Sequence, residues 1–307
     1  MDDHRLTTPV VLLIFNRPET TARVFAQVAK AEPRQLLVVA DGPRADRSDD
    51  PAKCAAARAV VEGVNWDCDL KLNYAQENLG LRRRVAGGLD WVFDQVDEAI
   101  ILEDDCVPDP TFFRFCQELL AKYRNDERIM VVSGNNFQRG RRYSEYSYYF
   151  SRYNHCWGWA TWRRAWVLYD DKMRDWPGVR RDGQLRGVLE ENDAMRYWTR
   201  IFDRTYSGEY DSWAYRWTYS CWCQSGLTIL PAVNLVSNIG SGPLATHTTR
   251  DQSGLALPTI PMEFPLQHPT RLMRQVAADA FSQRHHFRPG IVRRIKQELV
   301  RLRRRLP

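Results

Sequence analysis

The chain has 307 residues, of which 44% are hydrophobic and 12% aromatic. This is long for one domain, short for three and ample for a core. The net charge of +6 is uneven: residues 284–307 hold nine Lys or Arg and one Glu, a contribution of +8, which leaves −2 for the remainder. A slightly acidic body excludes a generally basic nucleic-acid-binding protein, so we expect no nucleic-acid partner.

The cysteine content and the N-terminal residues bear on the compartment. Seven cysteines are scattered without zinc-site spacing, which predicts free thiols in a reducing environment. The opening residues lack signal-peptide features. No apolar run approaches the roughly 20 residues that span a bilayer. These features favour a cytoplasmic protein.

Strand and helix patterns alternate through the first hundred residues. Continuous apolar runs are typical of strands that are buried on both faces, and the segments between them have helical periodicity. This alternation predicts an α/β fold with a parallel sheet covered by helices. In such sheets ligands bind beyond the carboxyl ends of the strands. The predicted strands are 9–15, 34–43, 69–75 and 98–105, and the predicted helices are one from Pro18, 49–63 and 78–96.

The second half is less regular. A helix is predicted after Asp109, whose side chain suits an N-cap, and a strand is predicted at 128–134. The aromatic stretch 143–166 is predicted to be irregular and then helical. Further helices are predicted at about 186–206 and 211–224.

Three consecutive carboxylates, Glu103, Asp104 and Asp105, end the fourth predicted strand. Their mutual repulsion needs compensation, which a divalent cation or solvent would supply. Oxygen ligands without sulfur suit Mg²⁺ or Mn²⁺. If the strand continued through them, Glu103 and Asp105 would share one face and Asp104 the other. The alternative is a solvated acidic turn.

Five other residues are candidates, each with a simpler interpretation. Arg17, after the first strand, would meet a phosphate or cap carbonyls. Asp41 would bind a ligand or form a turn with the glycine that follows. Trp157 would be a sugar platform or a buried corner. Asp211 would be a catalytic carboxylate or a helix N-cap. His247, in a Gly-rich loop, would be a metal ligand or polar surface.

The order of motifs over residues 9–250 resembles that of the GT-A glycosyltransferases, specifically family 2-like nucleotide-sugar transferases, and is similar to the inverting enzyme N-acetylglucosaminyltransferase I. The motifs are LLIFNRPETTARVF, VVADGP, AIILEDDCVPDPTFF, VVSGNN, WGWATWRRAW and EYDSWAYRW, in that order. The resemblance implies a GT-A fold, in which a Rossmann-like nucleotide-binding sheet is extended by a mixed sheet on the acceptor side.

The resemblance also implies roles in donor binding. Asp41 would bind the uracil edge of a uridine nucleotide, and Arg17 would lie beside the nucleotide. Glu103 and Asp104 would hold sugar and ribose hydroxyls, while Asp105 would contact the metal.

Further roles fall on the later part of the chain. Asp211 would be the catalytic base, although Ser212 stands where that family has a second Asp. Trp157 would line the donor site, and His247 would be a late metal ligand. Glu209 is the next acid to consider as base.

We therefore expect an inverting, metal-dependent hexosyl- or N-acetylhexosaminyltransferase for polysaccharide biosynthesis. It would use Mn²⁺ or Mg²⁺ and move a sugar from a nucleoside-diphosphate sugar, such as a UDP-sugar, to a hydroxyl of a glycan or lipid-linked acceptor. The alternatives are a sugar-1-phosphate nucleotidyltransferase and a non-catalytic nucleotide-sugar-binding module. The first alternative usually has a Gly-rich loop after the first strand, which reads Asn16-Arg17-Pro18 here.

The predicted organisation has three parts. Residues 1–105 form the nucleotide-sugar-binding half and residues 106–250 the acceptor-side and catalytic half of one GT-A domain. Residues 251–307 form a C-terminal extension. Its last segment, from Pro289, has leucines and isoleucines on one helical face and arginines around the remainder. This pattern predicts a basic amphipathic helix that binds an anionic membrane at its inner, cytoplasmic surface, or else a partner subunit.

Overall fold

The computed structural model describes residues 5–240 and 256–287. Within them the chain forms an α/β structure around a mixed eight-stranded sheet and a two-stranded antiparallel sheet. The strands are β1 (Val10–Ile14), β2 (Gln35–Ala40), β3 (Asp69–Tyr74), β4 (Glu98–Glu103), β5 (Cys106–Pro108), β6 (Ile129–Ser133), β7 (Tyr148–Ser151), β8 (Trp159–Trp162), β9 (Leu227–Pro231) and β10 (Val236–Asn238).

Nine α-helices are described in these residues. They are α1 (Pro18–Ala31), α2 (Asp50–Glu62), α3 (Leu81–Phe93), α4 (Thr111–Tyr123), α5 (Arg163–Trp166), α6 (Trp176–Arg181), α7 (Asn192–Tyr206), α8 (Trp213–Cys223) and α9 (Val276–Ser282). A 3₁₀ turn at Gln184–Gly187 and a π turn at Gln283–Phe287 complete them.

The large sheet has the strand order β3-β2-β1-β4-β8-β6-β9-β7. The first four strands are parallel, with Val10 opposite both Leu36 and Ile100. Beyond β4 the sheet becomes mixed, because β8 runs antiparallel to both β4 and β6. The sheet therefore has a Rossmann-like parallel half, which the alternation of strands and helices predicts, and a mixed half, which the resemblance implies. The pairing of β4 with β8 joins residues from the two predicted halves in one sheet.

Alternate residues of the central strands pack into two separate cores. Val10 and Leu12 of β1 pack with helices α1, α2 and α4. Val11 and Leu13 pack with α3 and the helices after β8. Burial on both faces is why these strands are continuous apolar runs rather than alternating ones.

The order of the parallel strands defines a switch point. From β1 the chain moves outward to β2 and β3, then returns to place β4 on the other side of β1. In open α/β sheets the crevice at such a reversal, beyond the carboxyl ends of the strands, is where ligands bind. Here Phe15–Arg17 and Glu103–Asp105 lie at the carboxyl ends of β1 and β4, on the two sides of the reversal.

Two predicted segments differ from the structure. The stretch 143–166 contains the strands β7 and β8 before the short helix α5, so the prediction of irregular chain was wrong there. Residues 256–287, predicted only as an extension, pack against β7. The amide of Gln275 donates to the Phe150 carbonyl oxygen at 2.8 Å, and the Ser151 hydroxyl donates to the buried Asp279 at 2.5 Å.

The predicted membrane-binding helix from Pro289 lies outside the described residues. Among the described helices, none is both long and apolar enough to cross a membrane.

Candidate functional site

The three carboxylates Glu103, Asp104 and Asp105, here called the acidic tip, lie where β4 ends. The strand stops at Glu103, and Asp104 and Asp105 form a turn before β5. The prediction that Asp104 would point away from its neighbours was therefore wrong. Because the chain turns, one arginine contacts both aspartates.

That arginine is Arg17, which follows β1 and directly precedes α1. One guanidinium nitrogen bonds Asp104 Oδ1, and the other lies 3.0 Å from Asp105 Oδ2. The backbone amide of Phe15 also donates to Asp104 Oδ2 at 3.2 Å. The switch point therefore brings together three predicted site residues, and the charge of Arg17 offsets part of the repulsion within the acidic tip.

The electrostatics of the acidic tip follow from its burial. Burial by itself lowers the pKa of Arg17. The charges of Asp104 and Asp105 raise it by more, so the pKa lies above its ordinary value. Burial raises the pKa of Asp104 to about 6 although Arg17 opposes the change. Burial, Asp105 and Asp104 together raise the pKa of Glu103 to about 8. A raised pKa increases the protonated fraction of the Glu103 carboxyl group, and a protonated carboxyl can donate a hydrogen bond.

Strand β10 covers the other side of Asp105. Asn238 donates from Nδ2 to Asp105 Oδ1 at 3.2 Å, and the amide of Ile239 donates to the Asp105 carbonyl oxygen at 2.8 Å. The backbone of Gly240 lies so close that a Cβ there would overlap the Asp105 carboxylate and come within 2.9 Å of Arg17. This contribution of Asn238 and Gly240 was not predicted from the sequence, in which Gly240 is the local signal for a close backbone approach.

Asp41 follows β2, next to β1 in the sheet, and is 5% exposed. Its carboxylate accepts four hydrogen bonds: from the amides of Gly42, Leu79 and Gly80 and from Asn78 Nδ2, at 2.9–3.2 Å. A carboxylate has about four acceptor positions, so protein donors fill them all. Asp41 thus fixes the turn that begins helix α3.

The first turn of helix α3, which follows this turn, contacts Asp211 through Arg82. Arg82, in its first turn, forms ion pairs with Asp211 and with Asp171, the latter at 2.5 Å. The Asp211 side chain is 62% exposed. The interpretation of Asp211 as an N-cap is wrong: Ser212 is the N-cap of α8, and its Oγ accepts from the Tyr215 amide at 3.3 Å.

Asp171 is a second carboxylate beside Asp211 that the sequence analysis did not identify. Its backbone carbonyl accepts from Arg216 Nε at 2.7 Å, and Arg216 also donates to the carbonyl oxygen of Ser212 at 2.9 Å. This buried arginine of α8 therefore holds the chain segments that carry both aspartates.

Trp157 lies in the loop before β8. Its amide donates to Asn135 Oδ1 at 3.1 Å, and its ring meets Phe137 edge-on, with 5.4 Å between centroids. The side chain is partly buried against the first core. His247, the other predicted metal ligand, lies outside the described residues.

The carboxylates of the acidic tip are potential ligands for a metal ion. Within the described ranges, no group of three or more His, Cys, Asp or Glu side chains could by itself hold a metal ion. Mg²⁺, however, is commonly bound by one or two carboxylates together with substrate phosphates. Asp105, whose side chain is 13% exposed, fits a cation held in that way.

Comparison with known proteins gives little further information. No family model matches the chain, and no curated protein matches it. Among solved structures, similarity is found to the mannosyltransferase PcManGT from Pyrobaculum calidifontis in complex with GDP-Man and Mn²⁺, with a TM-score of 0.34 and 16% identity. The match covers 52% of this chain and 45% of that one, so it spans less than half of the neighbour. A likeness this partial carries no argument about activity, and the resemblance to N-acetylglucosaminyltransferase I stays a prediction.

Proposed function

We propose that this chain is a glycosyltransferase that uses a nucleoside-diphosphate sugar. The observation that carries the proposal is the position of Arg17 and the acidic tip. They lie at the carboxyl ends of β1 and β4, at the switch point where α/β sheets commonly bind nucleotides. Arginine recognises phosphate with two parallel hydrogen bonds, and carboxyl groups recognise sugar hydroxyls.

In the proposed donor complex, Arg17 lies beside the diphosphate, while Glu103 and Asp104 bind hydroxyls of the sugar and the ribose. Glu103 suits this role because no described residue donates a hydrogen bond to its carboxyl group. Asp105 would hold Mn²⁺ or Mg²⁺, which, when bound, supplies positive charge to the leaving diphosphate. Trp157 would line the donor site.

The nucleotide base is the least supported part of the donor assignment. UDP is proposed from the resemblance, with Asp41 at the uracil edge. Because four protein groups already donate to Asp41, a uracil N–H would have to replace one of them. GDP-sugars therefore belong in every donor test.

Asp211 is the proposed general base of a single displacement with inversion. It takes the proton of the acceptor hydroxyl, the acceptor oxygen bonds to the anomeric carbon, and the bond from that carbon to the diphosphate oxygen breaks. Its exposed carboxylate, fixed by Arg82, can meet an acceptor from solvent. General-base catalysis of this kind contributes about 10²–10⁴-fold to the rate. A glycan or lipid-linked acceptor, and a membrane-surface location, are also proposals.

Release of nucleoside diphosphate from a panel of UDP- and GDP-sugars, with Mn²⁺ and with EDTA, tests the proposal. We expect one donor to give metal-dependent release that increases with a glycan acceptor. Asp105→Asn should lose this release. Asp97→Asn, which changes an 85% exposed acid at the other end of β4, should retain it. Formation of a nucleotide sugar from a sugar 1-phosphate would indicate the nucleotidyltransferase instead, and binding without turnover the non-catalytic module.

A further inference from the structure

Arg17 occupies the position in which a cation would offset the charge of the acidic tip. Its two nitrogens bond Asp104 and Asp105, and its side chain is only 21% exposed. The guanidinium is thus a built-in counter-ion for two of the three carboxylates.

The remaining approaches to Asp105 are also taken. Asp105 Oδ1 accepts from Asn238 at 3.2 Å and from the Cys106 thiol at 3.4 Å. Gly240 packs against the other oxygen, on the side of Arg17. A divalent cation that binds Asp105 Oδ2 would therefore have to displace Arg17 from that oxygen.

We propose that Arg17 competes with the divalent cation for Asp105, so that the nucleotide-free protein binds the cation weakly and the donor diphosphate relieves the competition. This inference rests on the proposed function, because it assigns the diphosphate as the second partner of Arg17. It gives Arg17 a regulatory role at the site in addition to donor binding.

The chemistry of the guanidinium supports an exchange of partners. Its planar fork fits a phosphate as well as it fits a carboxylate pair. When Arg17 turns to the diphosphate, Asp104 and Asp105 lose their charged partner, and a buried carboxylate without a counter-charge is costly. The cation then becomes the favoured replacement. Diphosphate and cation should therefore strengthen each other's binding, and this coupling is reciprocal.

Titration of the full chain with Mn²⁺, followed by the electron paramagnetic resonance signal of the free ion, tests the inference without any turnover. In the absence of nucleotide, Arg17→Gln should bind Mn²⁺ at least about tenfold more tightly than the wild type, because one positive charge next to Asp105 is removed. Asp105→Asn in the Arg17→Gln background should abolish the gain. Arg124→Gln is the matched control, since Arg124 pairs with Glu98 at the opposite end of β4. It should bind Mn²⁺ as the wild type does.

Equal Mn²⁺ affinity of the wild type and Arg17→Gln, without nucleotide, would overturn the competition. If Arg17→Gln does not fold, Arg17→Met gives the same decision, because it too removes the positive charge next to Asp105 while keeping a long side chain. It should bind Mn²⁺ more tightly than the wild type, and unchanged affinity would again contradict the proposal.

Addition of UDP or GDP to the wild type separates this inference from the proposed function. The nucleotide should raise the Mn²⁺ affinity of the wild type more than that of Arg17→Gln, where the competition is already absent. Equal increases in the two proteins would show that Arg17 does not couple the ligands. Absence of nucleotide binding by both proteins would refute the proposed function. If the Mn²⁺ affinity of Arg17→Gln is nevertheless higher than that of the wild type, the competition between Arg17 and the cation is still supported.

Discussion

Asp211→Asn separates chemistry from stability because the cap of helix α8 is a different residue. Ser212 accepts the Tyr215 amide, so the substitution leaves the cap intact. The lost ion pair involves a side chain that is 62% exposed, and Arg82 keeps its second partner, Asp171. Exposed pairs contribute about 0–1 kcal/mol, so the melting temperature should fall by no more than about 4 °C.

Turnover should respond much more strongly than stability. Asparagine cannot accept the proton of the acceptor hydroxyl, so kcat should fall by at least about a hundredfold while donor binding is unchanged. Sugar transfer and thermal unfolding measured on the same preparation provide both numbers.

Asp171→Asn is the matched control for this experiment. It removes the other ion pair of Arg82 but leaves the proposed base, so turnover should stay within about tenfold of the wild type. Near-normal turnover of Asp211→Asn would refute the assignment and make Glu209 the next acid to test. An equal loss in both variants would show that the ion pairs, rather than a proton transfer, matter at this position.

Three further predictions concern packing and charge near the sheet. Gly88→Ala should lower the free energy of unfolding by about 1–3 kcal/mol in urea, because a Cβ there would overlap Val39, whereas Gly87→Ala, with nothing within 4 Å, should raise it by up to about 1 kcal/mol. Gly240→Ala should weaken donor binding in calorimetry, with little change in melting temperature, since it displaces the acidic tip. Asp50 is 1% exposed, and hydrogen bonds from the Arg44 side chain hold the pKa of its carboxyl group below the ordinary value. Its contribution to stability is therefore present above about pH 4 and lost as pH falls further, so Asp50→Asn should destabilise at pH 7 and flatten the acid side of the stability curve.

The parallel half of the sheet could be predicted because its inner strands β1, β2 and β4 are buried on both faces. The continuous apolar runs of β1 and β4 indicate buried strands even when the neighbouring strands are not known. The strands β7 and β8 could not be predicted in this way. Each has only four residues, all of them buried, so neither helical nor strand periodicity is visible.

The candidate site also has a part that could be predicted from the sequence and a part that could not. Arg17 and the acidic tip could be predicted because both directly follow buried parallel strands, and such strand ends share one edge of the sheet. The contacts of Asn238 with Asp105, 133 residues apart, and of Arg82 with Asp211, 129 residues apart, depend on how distant elements pack. A single sequence contains no signal for these distances.

Equilibrium binding of nucleoside diphosphates tests the central claim most directly. Calorimetric titration of the full chain with UDP and with GDP, in Mn²⁺ and in EDTA, should show binding of one nucleotide that weakens at least about tenfold on removal of the metal or in Asp105→Asn. Asp97→Asn should bind as the wild type does. Absence of binding by both nucleotides, or binding that is indifferent to Asp105 and to Arg17, would contradict a nucleotide-sugar site at the β1–β4 switch point.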